Sequence, residues 1–143
     1  FEHARGHYAI AIADAASRRL FLAVDRMGVG TLAMARTGDG RIVFGTHVGD
    51  VAGHPDVRAP LRHQALFDFM YFHMIPAPDT VYEGVSKLRR GHVATWDAGG
   101  GTTAPHWQPR FARTQSAPLP ELRDGLFTAL RGGVARALAG ASA

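Results

Sequence analysis

The chain is 143 residues long, 46% hydrophobic and 20% charged, which fits one domain with its own core and is a globular composition, not a disordered one. Its net charge of +4 is scattered: the densest groups, Arg18-Arg19 and Lys87 with Arg89-Arg90, are too short to mark a nucleic-acid footprint, so no nucleic acid is expected as a partner. With no cysteine, disulfides, Cys-based zinc sites and a Cys nucleophile within the chain are excluded; with no apolar run near ~20 residues and no signal peptide, no membrane partner and a cytoplasmic location are expected.

In chain order, "HYAIAIADA" (7–15) is apolar on both faces and reads as a buried strand. "ASRR" (16–19) has turn character, and "RLFLAVD" (19–25) reads as a second buried strand, joined to the first in an antiparallel hairpin. "RMGVG" (26–30) interrupts with two glycines. "TLAMART" (31–37) and "RIVFGTH" (41–47) are the next strands, joined by the hairpin signal "GDG" (38–40). The expectation is an antiparallel meander over 7–47 that needs a covering layer on each side.

"VGDVAGHP" (48–55) reads as a short helical turn ended by Gly53 and Pro55. "PLRHQALFDFMYFHM" (60–74) predicts a helix with Pro60 at its first position and an apolar face through Leu61, Ala65, Leu66, Phe69, Met70 and Phe72. The segment 74–92 is broken by prolines and glycines and reads as an extended crossing, with Val81, Tyr82, Val85 and Leu88 packing inward. "RGHVATWD" (90–97) and "TTAPHWQP" (102–109) predict two strands around the turn "AGGG" (98–101). After a polar linker, 116–140 predicts a long amphipathic helix with Leu122, Leu126, Phe127, Leu130, Val134 and Leu138 on its stripe. Gly132-Gly133 weakens its middle by ~1 kcal/mol per glycine.

Few residues carry an obvious chemistry. The eight histidines form no metal-ligand spacing. His63 and His73, ten apart on one helix, lie about 15 Å apart along its axis, so no metal site is expected. "RMGVG" lacks the spacing of a phosphate loop and leads into a strand. No serine sits in a nucleophile-elbow context. Asp25 is the acid of most interest, ending a buried strand beside Arg26 and ahead of Gly28. Two readings stand: a turn or Asp–Arg pair that fixes the strand exit, or a functional acid. These observations alone give an α+β domain of antiparallel sheet layers with covering helices, and a trailing helix.

The segment "MIPAPDTVYEGVSKLRRGH" (74–92) resembles the pattern V-P-x-P-x-T-I-F-x-G-V-x-K-L-P-P-G-H of asparagine synthetase-like, class II glutamine amidotransferases. "GHYAIAIAD" resembles that family's G-x-F-A-F-A-I-x-D strand, and "RRLFLAVDRMGVGTLAMA" its L-x-L-A-R-D-R-x-G-x-K-P-L-Y-Y. "GDGRIVFGT" is similar to G-x-x-x-F-A-S-E, and "HWQPRF" (106–111) to the Y-W-x-P-x-F leading out of the domain. The likeness covers most of residues 6–111 in order.

The resemblance implies an Ntn-hydrolase αββα sandwich, of which residues 1–111 are the C-terminal part. A linker would follow over 112–118, and 119–143 would start an ATP-pyrophosphatase (synthetase) domain. It implies hydrolysis of glutamine and passage of ammonia to an ATP-activated carboxylate such as aspartate. The N-terminal Cys nucleophile and the glutamine-binding residues of that family precede Phe1, and both ends of the chain read as cut. No catalytic residue is therefore assigned here, and the chain alone is expected to be inactive. No cofactor is expected within it; ATP and Mg belong to the synthetase domain, and glutamine and an acyl acceptor are the implied partners, with a homodimer allowed. His7 and Val29 hold the positions that face the family's ammonia channel; Asp25, Arg26 and Gly28 are the strand-exit and interface candidates.

Several positions depart from the pattern. Val24 replaces the Arg before Asp25-Arg26, Gly30-Thr31 replaces Lys-Pro, Thr46-His47 replaces Ser-Glu, and Arg89-Arg90 replaces Pro-Pro. They motivate an alternative: a non-hydrolysing scaffold domain of an amide- or lactam-forming enzyme, of the β-lactam synthetase or lasso-peptide cyclase type.

Overall fold

A computed structural model of the chain describes residues 3–111 and 116–140. The chain divides into two units, residues 1–108 and 109–143. In the first, β1 (Ala9–Asp14), β2 (Arg19–Val24), β6 (His92–Asp97) and β7 (Gly100–Pro105) form one antiparallel sheet in the order β1-β2-β6-β7. A second antiparallel sheet has the order β4-β3-β5, from β3 (Ala33–Arg36), β4 (Ile42–Gly45) and β5 (Val85–Lys87).

Both predicted hairpins form. Asp14 closes the first, its carboxylate accepting from the Ala16 and Ser17 N–H at 3.0 and 3.2 Å and from the Ser17 hydroxyl at 2.6 Å. The continuous meander does not form. The chain changes sheets between β2 and β3, at residues 26–30, so β2 pairs with β6 and β3 with β5. A loop held on one carboxylate, described below, makes that change of direction.

Two apolar clusters explain the layering. Leu22 and Val24 of β2 and Ala94 of β6 pack with Leu32 and Leu88 between the sheets. On the other face of the second sheet, Ala33, Ala35 and Val85 pack on Val51 of α1 (Val48–Ala52). Side chains alternate along β3, so Ala33 and Ala35 face α1 while Leu32 and Met34 face the first sheet. β1 departs from expectation: it is an edge strand and mostly exposed, because no described element covers its two apolar faces.

The segment 74–92 does more than cross, since it also supplies β5. Thr80, buried, fixes its bend: its hydroxyl lies 2.8 Å from the Val85 carbonyl and accepts the Tyr82 N–H at 3.1 Å. The Lys87 ammonium donates to the Ile75 carbonyl at 2.8 Å. Val85 and Leu88 are buried as expected, while Val81 and Tyr82 are only partly so.

Helix α2 (His63–Phe72) starts later than Pro60 suggested. Residues 60–62 run extended against 81–83, with the Glu83 N–H donating to the Pro60 carbonyl at 2.8 Å and the Arg62 N–H to the Val81 carbonyl at 2.9 Å. The helix stops at His73, a left-handed cap whose N–H returns to the Phe69 carbonyl. Its expected apolar face is not buried; Ala65 alone is.

The second unit contains α3 (Leu119–Gly140), which runs unbroken through Gly132-Gly133 and buries none of its stripe. The anticipated linker falls partly on residues 112–115, outside the described residues.

Replacing Thr80 with Val keeps the volume but leaves the Val85 carbonyl and Tyr82 N–H without their bonds. Thr80→Val is expected to lower unfolding stability by about 2 kcal/mol, read as a shift in urea midpoint at unchanged slope.

Candidate functional site

Asp25 ends β2 and is 1% exposed. Its carboxylate is the hub of the first unit. Oδ1 accepts from the N–H groups of Met27 at 3.0 Å, Gly28 at 2.9 Å and Val29 at 3.2 Å. Oδ2 accepts from Gly30 at 2.7 Å and Tyr8 at 3.3 Å. Four donors within one turn make a concave nest of the kind that binds anions. Here the nest encloses the chain's own carboxylate, which gives the physical reason that "RMGVG" is no phosphate loop.

Burial pushes the Asp25 carboxyl up, but the N–H donors of Gly30, Val29, Met27 and Tyr8 outweigh it and hold its pKa below the usual carboxylate value. An ionised carboxylate is an acceptor only, and five donors fill its lone pairs. Such a group neither takes a proton readily nor offers one. The geometry therefore favours the strand-exit reading of Asp25 over a general acid or base.

The backbone of Asp25 extends the hub. Its N–H donates to the Tyr8 carbonyl at 3.1 Å, and its carbonyl accepts from Gly91 at 2.9 Å. The Gly91 carbonyl in turn accepts from His106 and Trp107 at 2.8 and 3.1 Å. His106 Nε2 lies 2.9 Å from the Val24 carbonyl, which can only accept, so Nε2 carries the proton. The His106 ring stacks on Tyr8 with centroids 6.4 Å apart. The Arg26 guanidinium carbon lies 5.9 Å from the centre of the Trp107 ring, within cation–π range. The start of β1, the exit of β2, the entry to β6 and the exit from β7 thus meet at one point.

Two glycines are required there. Gly28 sits at φ +72, and a Cβ on it would stand 3.0 Å from Arg90 Cβ. Gly30 approaches β1 so closely that a Cβ would lie 2.3 Å from the Tyr8 carbonyl oxygen. The Gly30 that replaces the family pattern's Lys is thus built into the packing of β1 on the loop.

Asp25, Arg26 and Gly28 fall together in this hub. His7 and Val29 flank it: His7 is exposed beside Tyr8, and Val29 is 57% exposed although its N–H is held by Asp25. The sequence reading did not single out Tyr8, Gly30, Gly91, His106 or Trp107 as site residues. Their signal was present in four of the quoted segments: Tyr8, Gly30 and Gly91 each lie in one, and His106 and Trp107 share the fourth. Among the described residues no cluster of His, Asp or Glu could hold a metal ion, and no helix is long and apolar enough to cross a membrane.

Replacing Asp25 with Asn leaves one acceptor oxygen and turns an NH2 toward at least two N–H donors. D25N is expected to cost about 3 kcal/mol. The folded pKa lies below the unfolded value of about 3.9, so this contribution is complete above pH ~4 and is lost as pH falls through the folded value. The stability gap between wild type and D25N should match at pH 7 and 5 and narrow below pH ~4, in urea titrations at each pH. Gly30→Ala forces β1 off the loop and should cost about 3 kcal/mol, with faster hydrogen exchange at the Tyr8 and Gly30 amides.

A search of curated proteins returned no match to the chain. A family model described as a glutamine amidotransferase domain matches residues 1–107, which takes in both sheets, the Asp25 hub and the exit at His106-Trp107. On that match over most of its length, the chain belongs to the glutamine amidotransferase domain family.

Proposed function

We propose that residues 1–111 are the later part of the glutaminase domain of an asparagine synthetase-like, class II amidotransferase, and that 119–143 begin its synthetase domain. One observation carries this reading. The segments that resemble that class lie far apart in sequence, yet they supply Tyr8, Asp25, Gly91 and His106-Trp107 to a single hydrogen-bonded hub. The Ntn-type αββα frame is supported by α1 on one face of the second sheet and the first sheet on the other.

In this reading glutamine is hydrolysed by a Cys nucleophile on residues preceding Phe1, since the chain itself has no cysteine. Ammonia passes His7 and Val29 to a carboxylate, such as aspartate, activated with ATP and Mg by residues beyond Ala143. The Asp25 hub holds the loop bearing Val29 against β1. Its contribution is position rather than proton transfer.

Gly30 favours the second reading, a scaffold domain that no longer hydrolyses glutamine. A Lys in its place would collide with the Tyr8 backbone, so this loop is packed for the departed sequence.

The protein extended to its full gene should release glutamate from glutamine and transfer label from 15N-amide glutamine to a carboxylate acceptor with ATP consumption. Absence of both, with an intact ATP-dependent amide or lactam formation from an internal amine, would replace the first reading with the second. The 143-residue chain alone should show no glutamine turnover, and measurable turnover would overturn the placement of the nucleophile.

A further inference from the structure

At the end of the two sheets opposite the Asp25 hub lies a cavity of about 240 Å³, lined by Met34, Arg36, Ile42, Gly84, Ser86 and Trp96. β3 leaves the hub after Leu32 and ends at Arg36, and β6 leaves it after Gly91 and reaches Trp96 just before its last residue. Strand register explains the lining. Arg36 follows Met34 by two and shares its face toward the first sheet. Ile42 is the cross-strand partner of Arg36, and Ser86 that of Met34, so they point the same way. Gly84, just ahead of β5, adds no side chain. From the first sheet, Trp96 stands two residues after Ala94 on the inner face and packs on the same core cluster. A side chain at Gly101, its partner on β7, would collide with the indole, so the glycine leaves room for the ring.

The chemistry of the lining is unequal. Met34, Ile42 and the Trp96 ring make apolar walls. Arg36 is the one charged group among them, and no carboxylate lines the cavity. Arg36 makes no ion pair with any described residue. The Asp39 carboxylate, on the adjoining turn, is engaged by Thr37 and Arg41, and Asp97 accepts from the Gly99 N–H at 2.8 Å. The Ser86 hydroxyl stands 3.5 Å from the Met34 carbonyl, the outer limit of a hydrogen bond, so it is free to turn to a ligand.

We infer that this cavity binds a small monocarboxylate with an aromatic or aliphatic body. The volume suits on the order of ten non-hydrogen atoms. The guanidinium fork matches a carboxylate in two parallel hydrogen bonds, while a single cation over apolar walls offers too little for a phosphate dianion. The Trp96 ring and Met34 take the body. Position favours a ligand over further protein. Additional strands would join the sheets at their edges, β1, β7, β4 and β5, and additional helices would cover outer faces. This cavity lies between the layers, with all three strands of the second sheet as one wall and the inner strand β6 as the other. The inference does not depend on the amidotransferase reading.

The test titrates phenylacetate into the 15N-labelled 143-residue chain and follows the Trp96 indole and Arg36 side-chain resonances, with folding checked by circular dichroism. Saturable shifts with a Kd on the order of 1 mM are expected. Arg36→Gln should weaken binding at least ~10-fold, and Ser86→Leu, which fills the cavity, should abolish it. Arg131→Gln on α3 removes the same charge elsewhere and should change nothing. Phenylacetamide and inorganic phosphate should not bind. No saturable shift in wild type overturns the inference, as does equal binding of phenylacetamide or an equal effect of Arg36→Gln and Arg131→Gln. Binding to the chain that is lost in the protein extended to its full gene shows that other residues of the protein fill the cavity, and overturns it equally.

Discussion

Everything in the first unit is arranged around one ionised carboxylate taken out of water. A buried carboxylate without partners costs several kcal/mol. Asp25 avoids that cost because five backbone N–H groups turn toward it. The requirement is mutual. Residues 27–30 are in neither sheet and have no ladder to satisfy their donors, so without the carboxylate the N–H groups of Met27, Val29 and Gly30 would be orphaned and Gly28 would keep only its bond to the Asp25 carbonyl. The carboxylate and the loop are each stable only in the presence of the other. The change from one sheet to the next, and hence the two-layer arrangement, depends on this pair.

The layers follow from it. Once the chain turns at 26–30, Leu32 is delivered to the space between the sheets, and β3 continues with one face on each apolar cluster. The small residues Ala33 and Ala35 let α1 approach one side. Leu22, Val24 and Leu88 fill the other. The segment 74–92 returns the chain to the same place, bringing Gly91 onto the Asp25 carbonyl just before β6 begins. A family motif that looks purely structural is thereby tied to the only loop in this unit for which an amidotransferase role is proposed.

Local pattern made much of this legible. The hairpins at 15–18 and 37–41, the strand β2, the short α1 and the long α3 all follow from turn residues and periodicity read over a few positions. What failed was what depends on distant partners. A meander over 7–47 requires that neighbours in sequence pair, but β6 takes the place of β3 on β2 and β5 takes the place of β2 on β3, while β3 and β4 keep their hairpin. The apolar residues of β1 imply burial, but burial needs another layer, and none of the described elements supplies one. Pro60 suited a helix start, yet two backbone bonds to 81–83 held residues 60–62 extended. At the site, Asp25, Arg26 and Gly28 could be named because they are adjacent. Tyr8, Gly91 and His106 could not, because their roles exist only after folding joins them. Membership of the amidotransferase family was legible only through motif order, since no single residue in the chain performs a recognisable reaction.

The bond between His106 and the Val24 carbonyl spans 82 positions, and that separation governs when the hub can exist. Contacts so distant in sequence form late, after the loop-closure entropy of the intervening chain has been overcome. During synthesis β1 and β2 emerge well before the segments that close their exit and can make their hairpin at once. Gly91 and then His106-Trp107 must leave the ribosome before the strand exit is closed from both sides. Until then the apolar faces of β2 remain open to water and to other chains. The exit segment thus closes the strand exit last: the hub is complete only after residue 107 has been made.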